Sequence, residues 1–301
     1  DKTTNTFELQ DVDGNDINSS GYTAYSSAGV ANRIYQITTS YTTAQLFDLK
    51  FAQSADVMYI CHPSHEASKL SRTGHTSWTL SEVDFAETGP YMDTNTTATT
   101  LTPASSGTGT GVNITASSTT GINGGDGWQT TDVGRILKFN SGEAVITART
   151  NTTVVVCTIT KAFANTDATA AFNLGSFSDT TGHPSVVTFF QQRLVFAGTS
   201  DQPQTMFFSK SGDYENMTAG TDADDAMIYT IASNQVNAIK AMKATRTLIV
   251  MTTGGEYAVS AGTASAITPT NISIIKQSNY GSAGVDALSI GNATIFLQRA
   301  K

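Results

Sequence analysis

One phrase recurs along this chain: an apolar arm, a polar break of a few residues, a second apolar arm, and a loop rich in Gly, Ser or Thr. The clearest copy is residues 46–64, LFDLKFAQSADVMYICHPS. The shape returns at 184–200, PSVVTFFQQRLVFAGTS, at 236–255, VNAIKAMKATRTLIVMTTGG, and from Val285, VDALSIGNATIFLQRA. Each arm has the usual length of a strand, roughly five or six residues. Gln53-Ser54, Gln191-Gln192, Ala244-Thr245 and Gly291-Asn292 occupy the breaks, which are short enough for hairpins.

Repeated hairpins predict an all-β chain of antiparallel sheets arranged radially, a β-propeller or a close relative. Leu194 to Leu248 is an interval of 54 positions and Leu248 to Ile295 one of 47, and both suit a four-stranded blade. A β-sandwich also shows evenly spaced short strands. The recurring phrase favours the propeller. The first clear blade is expected at about 46–83, with outer strands at 67–72 and 77–83.

Other segments fill in the order. Residues 6–17, TFELQDVDGNDI, read as two short strands around Asp13-Gly14. Counting from Asp11, glycine falls at the fourth position and Tyr22 at the twelfth, so an EF-hand loop is rejected. Residues 31–38 alternate as a strand. From about Asp93 the chain turns dense in Thr, Ser and Gly, and strand patterns then resume at 112–116, 134–139, 144–149 and 153–160. A small β-domain over 93–175, inserted between residues 1–92 and 176–301 of the propeller-like part, accounts for this interruption. A strand is expected at 204–210 and another over 267–277, begun after Pro269, while 227–240 is the one ambiguous stretch.

Composition narrows the partners. Charged residues are 14% of the 301, below the usual quarter, and net charge is −8. That argues against a broad electrostatic grip on nucleic acid while letting DNA pass nearby. Cys61 and Cys157 lie among apolar neighbours and read as buried free thiols. There is no run of 18 apolar residues, so no membrane-spanning segment is expected. The absence of a leader and the unfinished last repeat suggest an internal piece of a longer gene product.

Candidate chemistry is sparse. His62 and His65 flank Pro63 in HPSHE, where proline opposes the helical spacing of a zinc pair, and His183 precedes Pro184 at a turn. Asp222, Asp224 and Asp225 form an acidic patch that reads as a solvated turn rather than a cation site. Glu82 with Asp84, and Asp213 with Glu215, are carboxylate pairs that only spatial separation can assign to glycoside cleavage. GxSxG and an activated cysteine are both missing. No catalytic, cofactor-binding or metal residue is assigned, and a structural or binding protein is expected.

Residues 71–78, SRTGHTSW, faintly resemble the Asp-box turn of sialidase-like propellers, with Arg72 where the Asp belongs and Ser77 inserted before Trp78. More extensively, LFDLKFAQSADVMYICHPSH, HPSVVTFFQQRLVFAGTSDQPQTMFFSKSGDYENM, TIASNQVNAI and ITPTNISIIKQSNYGS resemble the tail tubular protein B-like, or nozzle, proteins of short-tailed bacteriophages. The likeness runs from about Thr6 to Arg299 and is weakest in the Thr/Ser-rich block. It implies a structural virion protein, assembled in the host bacterial cytoplasm, that forms a homo-hexameric ring below portal and adaptor. It further implies contacts with neighbouring adaptor and fibre proteins and a channel through which viral DNA is ejected. The alternative is a carbohydrate-binding or depolymerising tail protein, with Trp78, Trp128 or Tyr214 at a groove. A sialidase-like enzyme would need clustered arginines, and Arg33, Arg72, Arg135, Arg149, Arg193 and Arg246 show no such spacing.

Overall fold

The alternating, β-branched arms fold as strands almost throughout: a computed structural model of the chain is 44% strand and 4% helical. It describes residues 15–18, 20–22, 36–291 and 293–300, with the backbone of two short strands near the start. Residues 1–36 are one unit, in which β1 (Lys2–Thr3) pairs antiparallel with β2 (Thr6–Phe7). The expected turn at Asp13-Gly14, and positions 31–35 of the expected strand at 31–38, lie outside the described residues. Residues 36–38 are not strand.

The second unit, residues 37–301, begins with a correction. Leu46 and Phe47 do not open a strand but belong to a 3-10 turn, Thr43–Asp48, where the Gln45 side chain accepts the Thr42 N–H at 2.9 Å. Phe47 is 94% exposed. The first sheet follows as β3 (Lys50–Ser54), β4 (Val57–His62), β5 (His65–Gly74) and β6 (Ser77–Glu82), each paired antiparallel with the next. Its first turn is Ala55-Asp56 rather than Gln53-Ser54, because Ala55 takes φ +50° and lets Ser54 pair with Val57.

A six-stranded sheet comes next: β7 (Leu101–Pro103), β8 (Gly109–Ala116), β9 (Ile136–Phe139), β10 (Gly142–Arg149), β11 (Val154–Lys161) and β12 (Phe172–Leu174). Its spatial order is β12-β9-β10-β11-β8-β7. It curls into a half-barrel, and Leu101 on the edge strand β7 bridges to Thr169, ahead of β12. Leu101, Ile114, Trp128, Leu137, Ile146, Val155, Cys157 and Phe172 fill it. The four strands expected here are present. β7 and β12, three residues each, carry too little pattern to be read beforehand.

Two more four-stranded meanders follow. One is β13 (Val186–Phe190), β14 (Arg193–Ala197), β15 (Thr205–Phe208) and β16 (Met227–Thr230). The other is β17 (Ile239–Ala244), β18 (Leu248–Thr252), β19 (Gly255–Ser260) and β20 (Ser273–Ser278). A two-stranded sheet, β21 (Leu288–Ile290) with β22 (Ala293–Ile295), closes the series. Gln191-Gln192 is the turn anticipated, with both residues at positive φ and Phe190 paired to Arg193. Ala244 instead pairs with Leu248, leaving a three-residue loop at 245–247. Asn292 lies outside the described residues, between the paired Ile290 and Ala293. The strand expected over 267–277 starts at Ser273, since Thr268 to Asn271 form a turn closed by the Thr268 N–H on Asn271 Oδ1.

Side-chain alternation decides the packing. In the β13–β16 sheet Val187, Leu194, Phe196 and Phe207 face Tyr59, Cys61 and Ala67 of the first sheet. Val186, Val195, Ala197, Met206 and Phe208 point the other way, onto Ile239, Met242, Leu248, Val250 and Val259. This sheet is therefore buried on both faces, which is why its strands read as unbroken apolar runs. Burying each Phe or Leu contributes roughly 2 kcal/mol. β13 lies against both β3 and β17, so the leading strands of three meanders stand side by side in chain order.

Candidate functional site

Register brings two carboxyls together that spacing does not pair. Ser68 on β5 is paired with Glu82 on β6, so Glu66, two residues before Ser68, falls on the same face as Glu82. Both line a cavity of about 500 Å³, with Asp84, Phe85, Phe177 and His183. Across it stands Gly134, where an added Cβ would lie 3.1 Å from Glu66 Oε1. Glycine here, at φ +90°, leaves room for the carboxyl.

Burial pushes the Glu66 carboxyl up to about 7, helped by the charge of Glu82, a hydrogen bond to it, and the charge of Asp179. Glu82 thus acts on Glu66 from the same face of the sheet, where both carboxyls line the cavity. Asp84, two residues beyond Glu82, accepts the Ala86 N–H at 2.9 Å as a turn residue.

The other pair also divides. Asp213 accepts from Asn216 Nδ2 at 3.1 Å, whereas Glu215 accepts from Lys69 Nζ at 2.6 Å and from the Tyr59 hydroxyl at 3.1 Å. Burial, then the Glu215 charge, drives the Tyr59 phenol upward.

The histidines occupy turns. Pro63 and Ser64 form the tip of the β4–β5 hairpin, so His62 and His65 are directly paired, ring centroids 5.2 Å apart. His62 Nδ1 accepts the Ser64 N–H, and His65 Nε2 bonds Gln45 Oε1, each at 3.1 Å. Burial and the neighbouring His65 lower the His62 pKa, which opposes a doubly charged pair. The buried His183 meets Asp179 at 2.9 Å, and the His75 carbonyl accepts Trp78 Nε1 at 3.1 Å.

Aromatic and acidic candidates are committed to packing. Trp128 is wholly buried, Tyr214 packs edge-on to Phe189, and Trp78 lies under Arg72. In the acidic turn, Asp225 binds Lys210 at 2.9 Å and accepts the Asp222 N–H at 3.0 Å. That ion pair lowers the Asp225 pKa. Among the described residues, no group of three or more His, Cys, Asp or Glu could hold a metal ion. No described helix is long and apolar enough to cross a membrane.

Two arginines hold more than their sequence context suggests. Arg193 NH1 donates to the carbonyls of Ser209 and Asp225, each at 2.7 Å, and NH2 to that of Ala223 at 2.7 Å. Arg135, 1% exposed, binds Asp132 Oδ1 at 3.0 Å, Asn123 Oδ1 at 2.7 Å and the Gly175 carbonyl at 2.8 Å. Each is the polar residue directly at the head of an apolar strand, the one available signal. Arg72 pairs with Asp56, Arg149 donates to the Trp128 carbonyl, and Arg33 lies outside the described residues.

Compared with protein-family models and with curated proteins, the chain matches none.

Proposed function

We propose that this chain is a structural virion protein of a bacteriophage tail, a nozzle component of the channel that carries DNA out below portal and adaptor. In this reading the four-stranded meanders are blades of a propeller-like domain. Residues 1–92 and 176–301 supply that domain, and residues 93–175 are a β-domain inserted into it. Six copies form the ring, and adaptor and fibre proteins flank it.

One observation carries the reading: the β13–β16 sheet is sandwiched face to face between two neighbours, with β3, β13 and β17 adjacent in chain order. Radial stacking of sheets with leading strands innermost has this arrangement. The Lys50–Asp286 ion pair, 2.9 Å, supports it further by tying β3 to the segment entering β21. The phrases resembling nozzle proteins fall largely on these hairpins. A net charge of −8 suits a wall that repels phosphate.

Immunogold electron microscopy of purified virions tests the proposal, with antibody raised against this chain. Gold on the tail below the capsid neck of DNA-filled particles is expected. Label confined to lateral fibres, or no label with the epitope accessible, overturns it.

A further inference from the structure

The first sheet begins beside an apolar knob that the fold leaves bare. Leu46 and Phe47, on the 3-10 turn Thr43–Asp48, are 51% and 94% exposed. Asp48 comes next, also exposed; its charge reaches His62, but it makes no hydrogen bond or ion pair with any described residue. Lys50, which opens β3, meets Asp286 just ahead of β21, so the knob stands at the starting end of β21. At the other end of β21 lies a cavity of about 980 Å³, walled by the turns that follow β13, β17 and β21, among them Gln191, Arg246 and Gly291. Ile249, Ala261 and Ala264 give it apolar surface. Arg246 is the one charged residue in the wall, exposed and bonded to no described residue.

The charges select the occupant. Residues 236–301 carry six Lys or Arg against two Asp or Glu, whereas residues 1–235 carry eleven against twenty-three. The basic end of one copy is therefore complementary to the acidic remainder of another. A partner suited to this wall brings an apolar group beside a negative charge, and the knob has both. We propose that Leu46, Phe47 and Asp48 of one copy dock in this cavity of a second copy, with Phe47 against Ile249, Ala261 and Ala264 and Asp48 paired with Arg246. The two patches differ and stand at opposite ends of β21, so the contact is heterologous. Such contacts close into a ring or run on as a filament. This inference rests on the self-association in the tail reading and names its surfaces.

Sedimentation velocity on the intact chain, from about 1 to 100 µM, tests it. The parent chain assembles, and Phe47→Ala, Asp48→Arg and Arg246→Asp each weaken association about tenfold or more. Asp48→Arg combined with Arg246→Asp restores opposite charges across the contact and brings association back to within about threefold of the parent. All three side chains are exposed and unbonded among the described residues, so the melting temperature stays put. Assembly that neither charge reversal weakens, or that the double variant does not recover, overturns the surfaces and leaves the ring standing. A parent chain that stays monomeric throughout overturns the surfaces and the ring together, while the place of the chain on the virion is still read by immunogold.

Discussion

Arg193 NH1 and the Asp225 carbonyl oxygen stand 2.7 Å apart, so the acidic turn is held by its backbone while its side chains serve elsewhere. The same guanidinium takes the carbonyls of Ala223 and Ser209, and Lys210 takes the Asp225 carboxylate. What reads along the chain as a charge cluster is the wrapping of a buried arginine.

Arg193→Ala therefore strands several carbonyls and lowers stability by about 3 kcal/mol. Arg193→Lys recovers only part of this, since an ammonium lacks the planar fork. Asp222→Asn, on the exposed tip, changes stability by no more than about 0.5 kcal/mol. Urea denaturation of the three variants gives the ranking; an innocuous Arg193→Ala would mean that the turn holds itself.

Asp132 is the buried partner of Arg135, and also accepts the Gln129 N–H and Asn123 Nδ2, each at 2.7 Å. Its removal leaves the buried guanidinium without its ion-pair partner, bonded only to the Gly175 carbonyl, Asn123 Oδ1 and the Met92 thioether. Burial already lowers the Arg135 pKa, and the Asp132 charge opposes that fall. Asp132→Ala costs about 3–5 kcal/mol. Fluorescence of Trp128, buried in the half-barrel, reports the loss at lower denaturant concentration.

The meanders were legible where apolar arms flank a two-residue turn that tolerates positive φ, as at Gln191-Gln192. Reading failed where the turn fell on Ala55, a residue with no turn signal, beside the polar Gln53-Ser54 that carries one. Leu46 and Phe47 misled because apolar residues on an exposed 3-10 turn look like strand. The Glu66–Glu82 contact was hidden for another reason. Sixteen positions separate the residues, and only the β5–β6 register places them on one face.

Both cysteines are buried in separate clusters, Cys61 between the first and the β13–β16 sheets and Cys157 inside the half-barrel. Burial pushes the Cys157 thiol up to about 12 and the Cys61 thiol well above its ordinary value. The thiolate is the reactive form. Neither cysteine reacts with a thiol reagent in the native protein at pH 8, and both react in guanidinium; rapid native labelling would contradict the packing.

The Glu66–Glu82 contact makes stability depend on pH in a stated direction. The Glu66 carboxyl is raised from 4.5 to about 7 in the folded chain. Between those values the native state holds a proton that the unfolded state has released, so stability falls as pH rises through that window. Below it Glu66 is protonated in both states; above about 7 it is ionised in both and the loss is complete. Both side chains keep over a third of their surface exposed, so solvent screens the repulsion and limits the change to about 1 kcal/mol. Glu66→Gln keeps a hydrogen bond to Glu82 without the second charge, and its melting temperature changes less between pH 5 and pH 8 than that of the parent chain. Parallel pH profiles for the two proteins would place the titrating group elsewhere, with His62, His65 and His183 the next to substitute.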